Sequence, residues 1–282
     1  CYHGCSYCYA RPYHHYLDWG AGTDFERKIV VKLNAPELLR HYFAKPSWQG
    51  ERIVFSGVTD CYQPLEASYQ LTRRCLEVCL EYKNPIGIIT KGASVIVRDT
   101  DVLADLTRRT EATVFLSIPF SDDTTARIFE PFASLSSKRF RTLERLSLEG
   151  IRTGVAVAPV IPGINDAMIP SVLQKAKDAG ATYAFMTLLR LPGPVREVFL
   201  NRLDAELPLR SEKVRHALTE VRQGKLNDSR FGSRMQGQGN RWDAISDLFQ
   251  NQCQRLGLNG KFTKSAEPPS TFKRPKRQLS LL

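Results

Sequence analysis

Thr153–Val160 reads TGVAVAPV, and it shows the pattern on which the fold assignment depends. The run is short and continuously apolar instead of strictly alternating, which is typical of a strand covered on both faces. Ile169–Ala179 follows with helical periodicity and ends at Gly180, and Thr182–Leu189 (TYAFMTLL) then repeats the strand pattern. Strand, helix and strand in this order predict two parallel strands joined by a crossover helix.

The same alternation extends toward the amino terminus. Earlier strands are predicted at Arg52–Ser56, Ile86–Thr90 and Ala112–Ile118, with a short additional strand at Ile29–Lys32. Helical patterns lie between or after them at Ser68–Tyr82, Asp101–Arg109 and Arg141–Glu149. This repeated order predicts an α/β fold whose parallel sheet closes, wholly or partly, into a barrel.

Composition and charge bound the remaining possibilities. The chain has 282 residues, 42% of them hydrophobic, and a net charge of +11. These values exclude wholesale disorder and a disulfide-packed mini-protein, and no apolar run is long enough to span a bilayer. We expect a barrel over residues 1–196, a helical extension over 197–258 and a flexible basic tail over 259–282. Residues 261–282 hold six basic residues and one acidic residue, so an excess of +5 lies there, and polyanionic partners are favoured.

Three of the seven cysteines are crowded into a C-x₃-C-x₂-C motif formed by Cys1, Cys5 and Cys8. An odd, clustered set favours metal binding over disulfides, and together with the lack of a signal peptide it predicts a reducing, cytoplasmic compartment. The motif is compatible with zinc completed by His3 or His14, with a four-cysteine iron–sulfur site, or with a cubane on three cysteines. A bacterial lipoprotein also begins with cysteine, but the aromatic residues that follow argue against a flexible tether.

The motif, with Tyr7 just before its last cysteine, resembles the signature of radical S-adenosylmethionine (SAM) enzymes. The strings CYHGCSYCYARPYH and DFERKIVVK resemble the branch related to the spore photoproduct lyases. FSGVTDCYQPLE, ITKG, LSI, VAVAPVIPGIND and FGSRMQGQG follow in the order of that branch, so the resemblance covers residues 1–258. It implies a partial (β/α) radical SAM barrel, whose first strand would precede Cys1, together with a 4Fe–4S cluster and SAM.

The resemblance also implies which residues hold these cofactors. The three cysteines would bind iron as thiolates and leave one iron open to SAM. The implied SAM contacts are Tyr7 and Ala158 at the adenine, Ser117 at the ribose, Lys91 at the carboxylate, and Gly57, Thr59 and Asp60 at the amino group. As plain structural residues, Lys91 would be a solvated lysine and Ser117 a strand-end cap.

The reaction implied is reductive cleavage of SAM to a 5′-deoxyadenosyl radical, which abstracts hydrogen, with a nucleic-acid lesion as the first candidate substrate. Lyases of this branch return a hydrogen atom from a cysteine, and Gly57 stands at that position here. Cys61 is the nearest replacement, and Tyr9 and Tyr62 are candidate radical relays. We therefore do not expect strict spore photoproduct lyase activity.

Several partners follow from the same reasoning. The resemblance implies DNA and an electron donor such as flavodoxin or ferredoxin, and Arg190, Arg196, Arg234 and Arg241 are candidates for contact with an anionic substrate. The string QLSLL at Gln278–Leu282 resembles the peptide by which bacterial repair proteins bind the sliding clamp, with Leu282 in place of the usual Phe. Two alternatives stay open, namely a radical SAM enzyme acting on a protein or small molecule, and a zinc- or cluster-stabilised nucleic-acid-binding module without catalysis.

Overall fold

The computed structural model describes residues 1–259 and 270–275. Within them, five parallel strands form one sheet in which each strand pairs with the next along the chain. The strands are β1 Ile53–Phe55, β2 Ile86–Thr90, β3 Thr113–Ser117, β4 Thr153–Val160 and β5 Tyr183–Leu188. The linear order leaves β1 and β5 as the edges of an open sheet, which confirms the α/β fold and the partial barrel.

Helices connect successive strands and cover the sheet. They are α1 Thr23–Arg27, α2 Ala35–Ala44, α3 Glu66–Tyr69, α4 Leu71–Glu81, α5 Thr100–Arg109, α6 Asp123–Phe129, α7 Ser136–Leu148, α8 Ile169–Asp178, α9 Val195–Glu206, α10 Pro208–Glu220 and α11 Asn240–Leu256. The helix expected over residues 68–82 is divided at Gln70, whose φ of 50° ends α3 before α4 begins. The short strand expected at Ile29–Lys32 is wrong, because that segment pairs with no strand of the described sheet.

Two apolar cores hold the layers together. The first lies between the sheet and the connecting helices, where Ile88, Leu116 and Val155 are fully buried. The second lies beyond the carboxyl ends of the strands and joins the cysteine loop to α6, α9 and α10. Its members include Cys5, Tyr7, Phe120, Phe129 and Phe199. The second core therefore fixes the cysteine loop over the edge of the sheet.

The carboxyl-terminal helices pack directly on the barrel. Phe199 of α9 and Val214 of α10 belong to the second core, while Trp242 and Phe249 of α11 belong to the first. The division of the chain into a barrel, a helical extension and a tail, at residues 196 and 258, stays a proposal. The carboxyl-terminal helices share apolar cores with the barrel, so packing does not separate the two. Among the described residues, no helix has the length and apolar character needed to cross a membrane.

The flexible tail expected over residues 259–282 is wrong for the part of it that the structure describes. The Asn259 side chain bonds both backbone groups of Ala184 in β5, at 2.9 and 2.8 Å. Phe272 stacks on Tyr82 with ring centroids 6.1 Å apart, and the Lys273 amide donates to the Tyr82 carbonyl at 2.8 Å. These polar and aromatic contacts hold residues 270–275 in place despite their basic, proline-containing sequence.

Candidate functional site

The cysteine motif forms a tight loop that is held from within by Arg11. The Arg11 guanidinium is fully buried and donates to the carbonyls of Gly4 at 3.1 Å and Cys5 at 3.0 Å. It also donates to the carbonyl of Ala21 at 2.7 Å and to the carboxylate of Glu26 at 2.8 Å. These bonds to Gly4, Cys5, Ala21 and Glu26 tie the loop to the segment that follows it, so Arg11 is a structural support that sequence reasoning missed.

A second constraint on the loop is steric. Gly4 has a φ of +63°, and a Cβ there would lie 3.0 Å from the Phe132 ring. The loop therefore passes too close to the barrel for a side chain and in a conformation that favours glycine. The amide of Ser6 also bonds the Phe129 carbonyl at 2.9 Å, which ties the loop to the end of α6.

One cavity brings the cysteines together with the carboxyl ends of the first three strands. It is partly open to solvent, and about 530 Å³ of space, open solvent included, lies between its walls. The predicted site residues that line it are Cys1, Cys5, Cys8, Tyr9, Gly57, Thr59, Asp60, Lys91 and Ser117. The fold thus gathers residues that lie up to 116 positions apart along the sequence.

Asp60 joins the cysteine loop to the strand ends. Its carboxylate accepts from the Lys91 amide at 2.7 Å and from the Thr90 hydroxyl at 2.5 Å, and it lies 3.4 Å from His3 Nδ1. Burial alone would raise the pKa of Asp60, but the charge and hydrogen bond of His3 and the bonds from β2 outweigh it and lower that pKa. Both carboxylate oxygens are already engaged within the protein, so Asp60 shapes the wall of the cavity.

Lys91 extends into the cavity from the end of β2. Its Nζ donates to Ser117 Oγ at 3.0 Å, and Ser117 in turn donates to the Ala158 carbonyl at 3.2 Å. Nζ also lies 5.6 Å from the centre of the Tyr7 ring. Four residues that are predicted to contact SAM are therefore linked to one another. Lys91, Ser117 and Ala158 come from the ends of β2, β3 and β4, and Tyr7 comes from the cysteine loop.

A buried ion pair that the sequence did not reveal lies behind this group. Glu130 and Arg139 are both fully enclosed and are joined by a hydrogen-bonded ion pair. Glu130 also accepts from the Tyr7 hydroxyl and lies 3.9 Å from Lys91 Nζ, while Arg139 donates to the Ser117 carbonyl at 2.8 Å. The pair therefore supports the three side chains expected to face SAM.

A sequence signal for this pair exists. Glu130 interrupts the otherwise apolar run Ile128–Phe132, and an acidic residue buried in such a run needs a cationic partner. The signal alone does not identify Arg139 as that partner.

The structure does not bring two of the proposed catalytic residues to the cavity. The Cys61 thiol points to the Phe55 carbonyl at 3.7 Å and packs on the first core, and burial raises its pKa well above the usual value. Tyr62 is fully buried and donates to Asp99 at 3.1 Å, so it is a packed aromatic of the core. Tyr9 alone of the three lines the cavity, with 42% of its surface exposed.

The donor set fits an iron–sulfur cubane better than a single zinc ion. Within residues 1–259 and 270–275, no three His, Cys, Asp or Glu side chains converge on one ion. In a cubane each thiolate binds a different iron, so three separated thiols around one cavity suit it. Burial raises the pKa of the Cys5 thiol to about 12, so that thiol keeps its proton until a metal displaces it.

The zinc alternative also lacks its fourth ligand. His3 is engaged by Asp60, and the His14 ring packs against Phe25 with centroids 5.0 Å apart. Within residues 1–259 and 270–275 neither histidine joins the cysteines in a group that could hold one ion, so the closed four-ligand site is not formed.

Two sequence relatives of this chain are named as uncharacterised proteins. It is 33% identical over 202 residues to an uncharacterised protein of Mycobacterium tuberculosis, a match that covers 71% of this chain and 59% of that protein. An uncharacterised protein of Methanocaldococcus jannaschii is 30% identical over 169 residues, which are 59% of each chain. The chain thus spans 59% of the length of these curated relatives.

Comparison of the fold gives a consistent result. A spore photoproduct lyase complexed with dinucleoside spore photoproduct superposes with a TM-score of 0.62 at 14% identity, covering 90% of this chain and 72% of that one. A mutant of the same lyase with bound AdoMet gives 0.61 at 16% identity over the same shares. At this identity the likeness establishes the fold alone.

The family model described as the Radical SAM superfamily matches residues 1–176. That range contains the three cysteines and all the predicted SAM contacts, and members of the superfamily use a 4Fe–4S cluster and SAM. With the motif, the cavity and the fold in agreement, this chain belongs to the radical SAM superfamily.

Proposed function

We propose that this chain is the catalytic part of a radical SAM enzyme that abstracts a hydrogen atom from its substrate. One observation carries the proposal, namely that the three cysteines and the polar ends of β1, β2 and β3 line a single cavity. When bound there, the cluster and SAM supply a one-electron cleavage of SAM that can take hydrogen from a substrate C–H bond.

The side chains around the cavity have separate tasks in this proposal. The Lys91 ammonium is a point charge suited to the SAM carboxylate, and Ser117 holds it in place through a 3.0 Å hydrogen bond. Tyr7 is fixed at its hydroxyl by Glu130, which leaves its ring to pack against the cofactor. The apolar core around Cys5 and Tyr7 excludes water from one side of the cluster loop.

The substrate we propose is a nucleic-acid lesion. The fold likeness is to a lyase complexed with a dinucleoside photoproduct, and the +11 net charge favours a polyanionic substrate. Among the described residues, the cavity holds no cysteine besides Cys1, Cys5 and Cys8. In the lyases a cysteine returns the hydrogen atom to the substrate. We propose that here no cysteine thiol of the described residues does so.

Anaerobic reconstitution tests the cofactor part of the proposal. The protein should take up about four iron atoms per chain and should form 5′-deoxyadenosine with SAM and a reductant. Cys5→Ala should abolish both, whereas Cys253→Ala, which removes a buried thiol from α11, should keep both. Stoichiometric zinc without iron in anaerobically purified protein would overturn the assignment.

The substrate part needs a separate measurement. Ultraviolet-irradiated DNA incubated with the reconstituted protein should lose a lesion, detected by mass spectrometry of the digested nucleosides, in a reaction that depends on SAM. Unchanged lesions alongside rapid 5′-deoxyadenosine formation would instead favour a protein or small-molecule substrate.

The proposed setting is a reducing cytoplasm that contains a flavodoxin or ferredoxin as electron donor. All seven cysteines are free, which supports this setting. We also propose recruitment to DNA by a sliding clamp through residues 278–282, which lie outside the described residues.

A further inference from the structure

Arg190 follows β5 at the same edge of the sheet as the cysteine cavity, and its charge has no partner among the described residues. Its Nε is buried without a hydrogen bond, and within residues 1–259 and 270–275 no carboxylate forms an ion pair with it. The guanidinium lies 5.4 Å from the centre of the Tyr9 ring, and Tyr9 lines the cavity. Buried donors are normally satisfied, so the unpaired Nε of this half-buried guanidinium points to an acceptor that a ligand supplies.

A second arginine without an ion pair, Arg234, lies close to the first, since one Arg222 nitrogen bonds both the Leu189 and the Arg234 carbonyls. Burial and the charge of Arg234 lower the pKa of Arg190, so the two cations repel each other. Arg234 rests on the Phe231 ring at 5.1 Å and forms no ion pair in the described part of the chain. Two adjacent cations without a counter-charge are stabilised when an anion binds between them.

Arg222 holds this arrangement from behind. Its guanidinium is buried and donates to the carbonyls of Leu189 at 2.9 Å and Arg234 at 3.0 Å. It therefore ties the backbone next to Arg190 to the backbone of Arg234. The nearest acid along the chain, Asp228, is bonded to Arg230 and Ser233 instead. Arg222 therefore holds together the two backbone segments that carry Arg190 and Arg234.

We propose that Arg190 and Arg234 form a subsite that binds a phosphate of the nucleic-acid substrate at the rim of the cavity. This inference rests on the proposed function. A guanidinium fork matches phosphate oxygens in a bidentate way. Each guanidinium lies over an exposed aromatic ring, Tyr9 under Arg190 and Phe231 under Arg234, with 42% and 91% of their surfaces exposed. Rings beside cations favour unpaired bases and their backbone over an isolated small carboxylate.

The probe is a fluorescein-labelled oligothymidylate of about ten nucleotides, within the range of roughly 4–16 nucleotides that single-strand-binding folds cover. Its affinity for the reconstituted protein with SAM is measured by anisotropy at several salt concentrations. Arg190→Gln should weaken binding about tenfold or more. The slope of log affinity against log salt should flatten by about 0.7 for each phosphate that the variant no longer neutralises. Arg234→Gln should act in the same direction.

Arg145→Gln is the matched control, since it removes the same charge from an exposed position in the last turn of α7, at the opposite edge of the sheet. Iron content checks that each variant has kept its cysteine loop, and if Arg190→Gln loses iron, Arg234→Gln carries the test.

Wild-type affinity and slope in both arginine variants would overturn the subsite and leave the nucleic-acid function standing. Failure of the wild-type protein to bind the oligonucleotide would also overturn the subsite, whereas the nucleic-acid function is tested separately by the loss of lesions from irradiated DNA.

Discussion

Glu130 is a fully buried carboxylate that contacts Tyr7 and Arg139 and lies near Lys91, so its loss should destabilise the site. Its removal leaves Arg139 as an uncompensated buried charge, so Glu130→Gln should lower the free energy of unfolding by about 3–5 kcal/mol. Urea denaturation measures this. Glu111→Gln is the control, because it breaks a pair with Arg152 that faces solvent and should cost about 0–1 kcal/mol. Equal losses in the two variants would contradict the role assigned to Glu130.

The same carboxylate should also influence stability in acid. Burial raises the pKa of Glu130, but the charges of Arg139 and Lys91 and two hydrogen bonds outweigh it and keep that pKa below its usual 4.5. As the pH falls, Glu130 is therefore protonated in the unfolded chain before it is protonated in the folded chain. The stability that the ionised Glu130 contributes at higher pH is lost as this happens. We expect the difference in unfolding free energy between wild type and Glu130→Gln to narrow as the pH is lowered from neutrality. A constant difference would show that Glu130 does not titrate this way.

Lys91 provides the most direct test of SAM placement. Lys91→Ala should weaken SAM binding by about 1.5–3 kcal/mol, the value of a hydrogen bond to a charged group. The iron content should be unchanged, because no cysteine is altered. Lys177→Ala, at an exposed position in the last turn of α8, is the control. Binding is measured by equilibrium dialysis under anaerobic conditions, and wild-type affinity in Lys91→Ala would show that Lys91 does not contact the SAM carboxylate.

The residues of the site differ in how well the neighbouring sequence predicts them. Cys1, Cys5 and Cys8 were predictable, since metal ligands on one loop show their spacing directly in the sequence. Cys61 and Tyr62 were not, because the direction of a side chain in a loop depends on what the loop packs against. In this loop Tyr62 enters the core and donates to Asp99.

At the scale of elements, continuous apolar runs predicted all five strands, because a parallel sheet covered on both faces selects such runs. Ile29–Lys32 has a similar run of branched residues but is not a strand in the described fold, since a strand needs a neighbour with which to form a ladder. Helix α6 was missed, because Asp123–Phe129 is too short to show an amphipathic period.

Residues 270–275 have no regular secondary structure, but they pack against the fold as a helix or strand would. Phe272 packs against Phe43 and Tyr82, so Phe272→Ala should lower the free energy of unfolding by about 1–2 kcal/mol, less than for a fully buried Phe. Phe231→Ala removes a 91% exposed ring and should change it by less than about 0.5 kcal/mol. Thermal or urea unfolding compares them, and a neutral Phe272→Ala would show that this packing contributes nothing.

At the scale of the whole molecule, the anchored segment bears on the proposed clamp partner. Arg274 donates to the carbonyls of Lys45 at 2.6 Å and Trp48 at 2.8 Å. Residues 270–275 are therefore engaged within the protein, and the proposed clamp contact is restricted to the sequence that follows them. The full chain should bind the sliding clamp of the source organism, and the double variant Gln278→Ala, Leu281→Ala should not, as measured by surface plasmon resonance. Absence of wild-type binding at high micromolar clamp would discard this partner.

The buried pair of Glu130 and Arg139 also constrains how this protein can have evolved. Either residue changed alone leaves an unpaired charge beside the cofactor cavity. The two positions are therefore epistatic, and a lineage that loses one must pass through an unstable ancestor or change both together. We expect descendants of this gene to inherit the pair as a unit, with Tyr7 following Glu130 because its hydroxyl depends on that carboxylate.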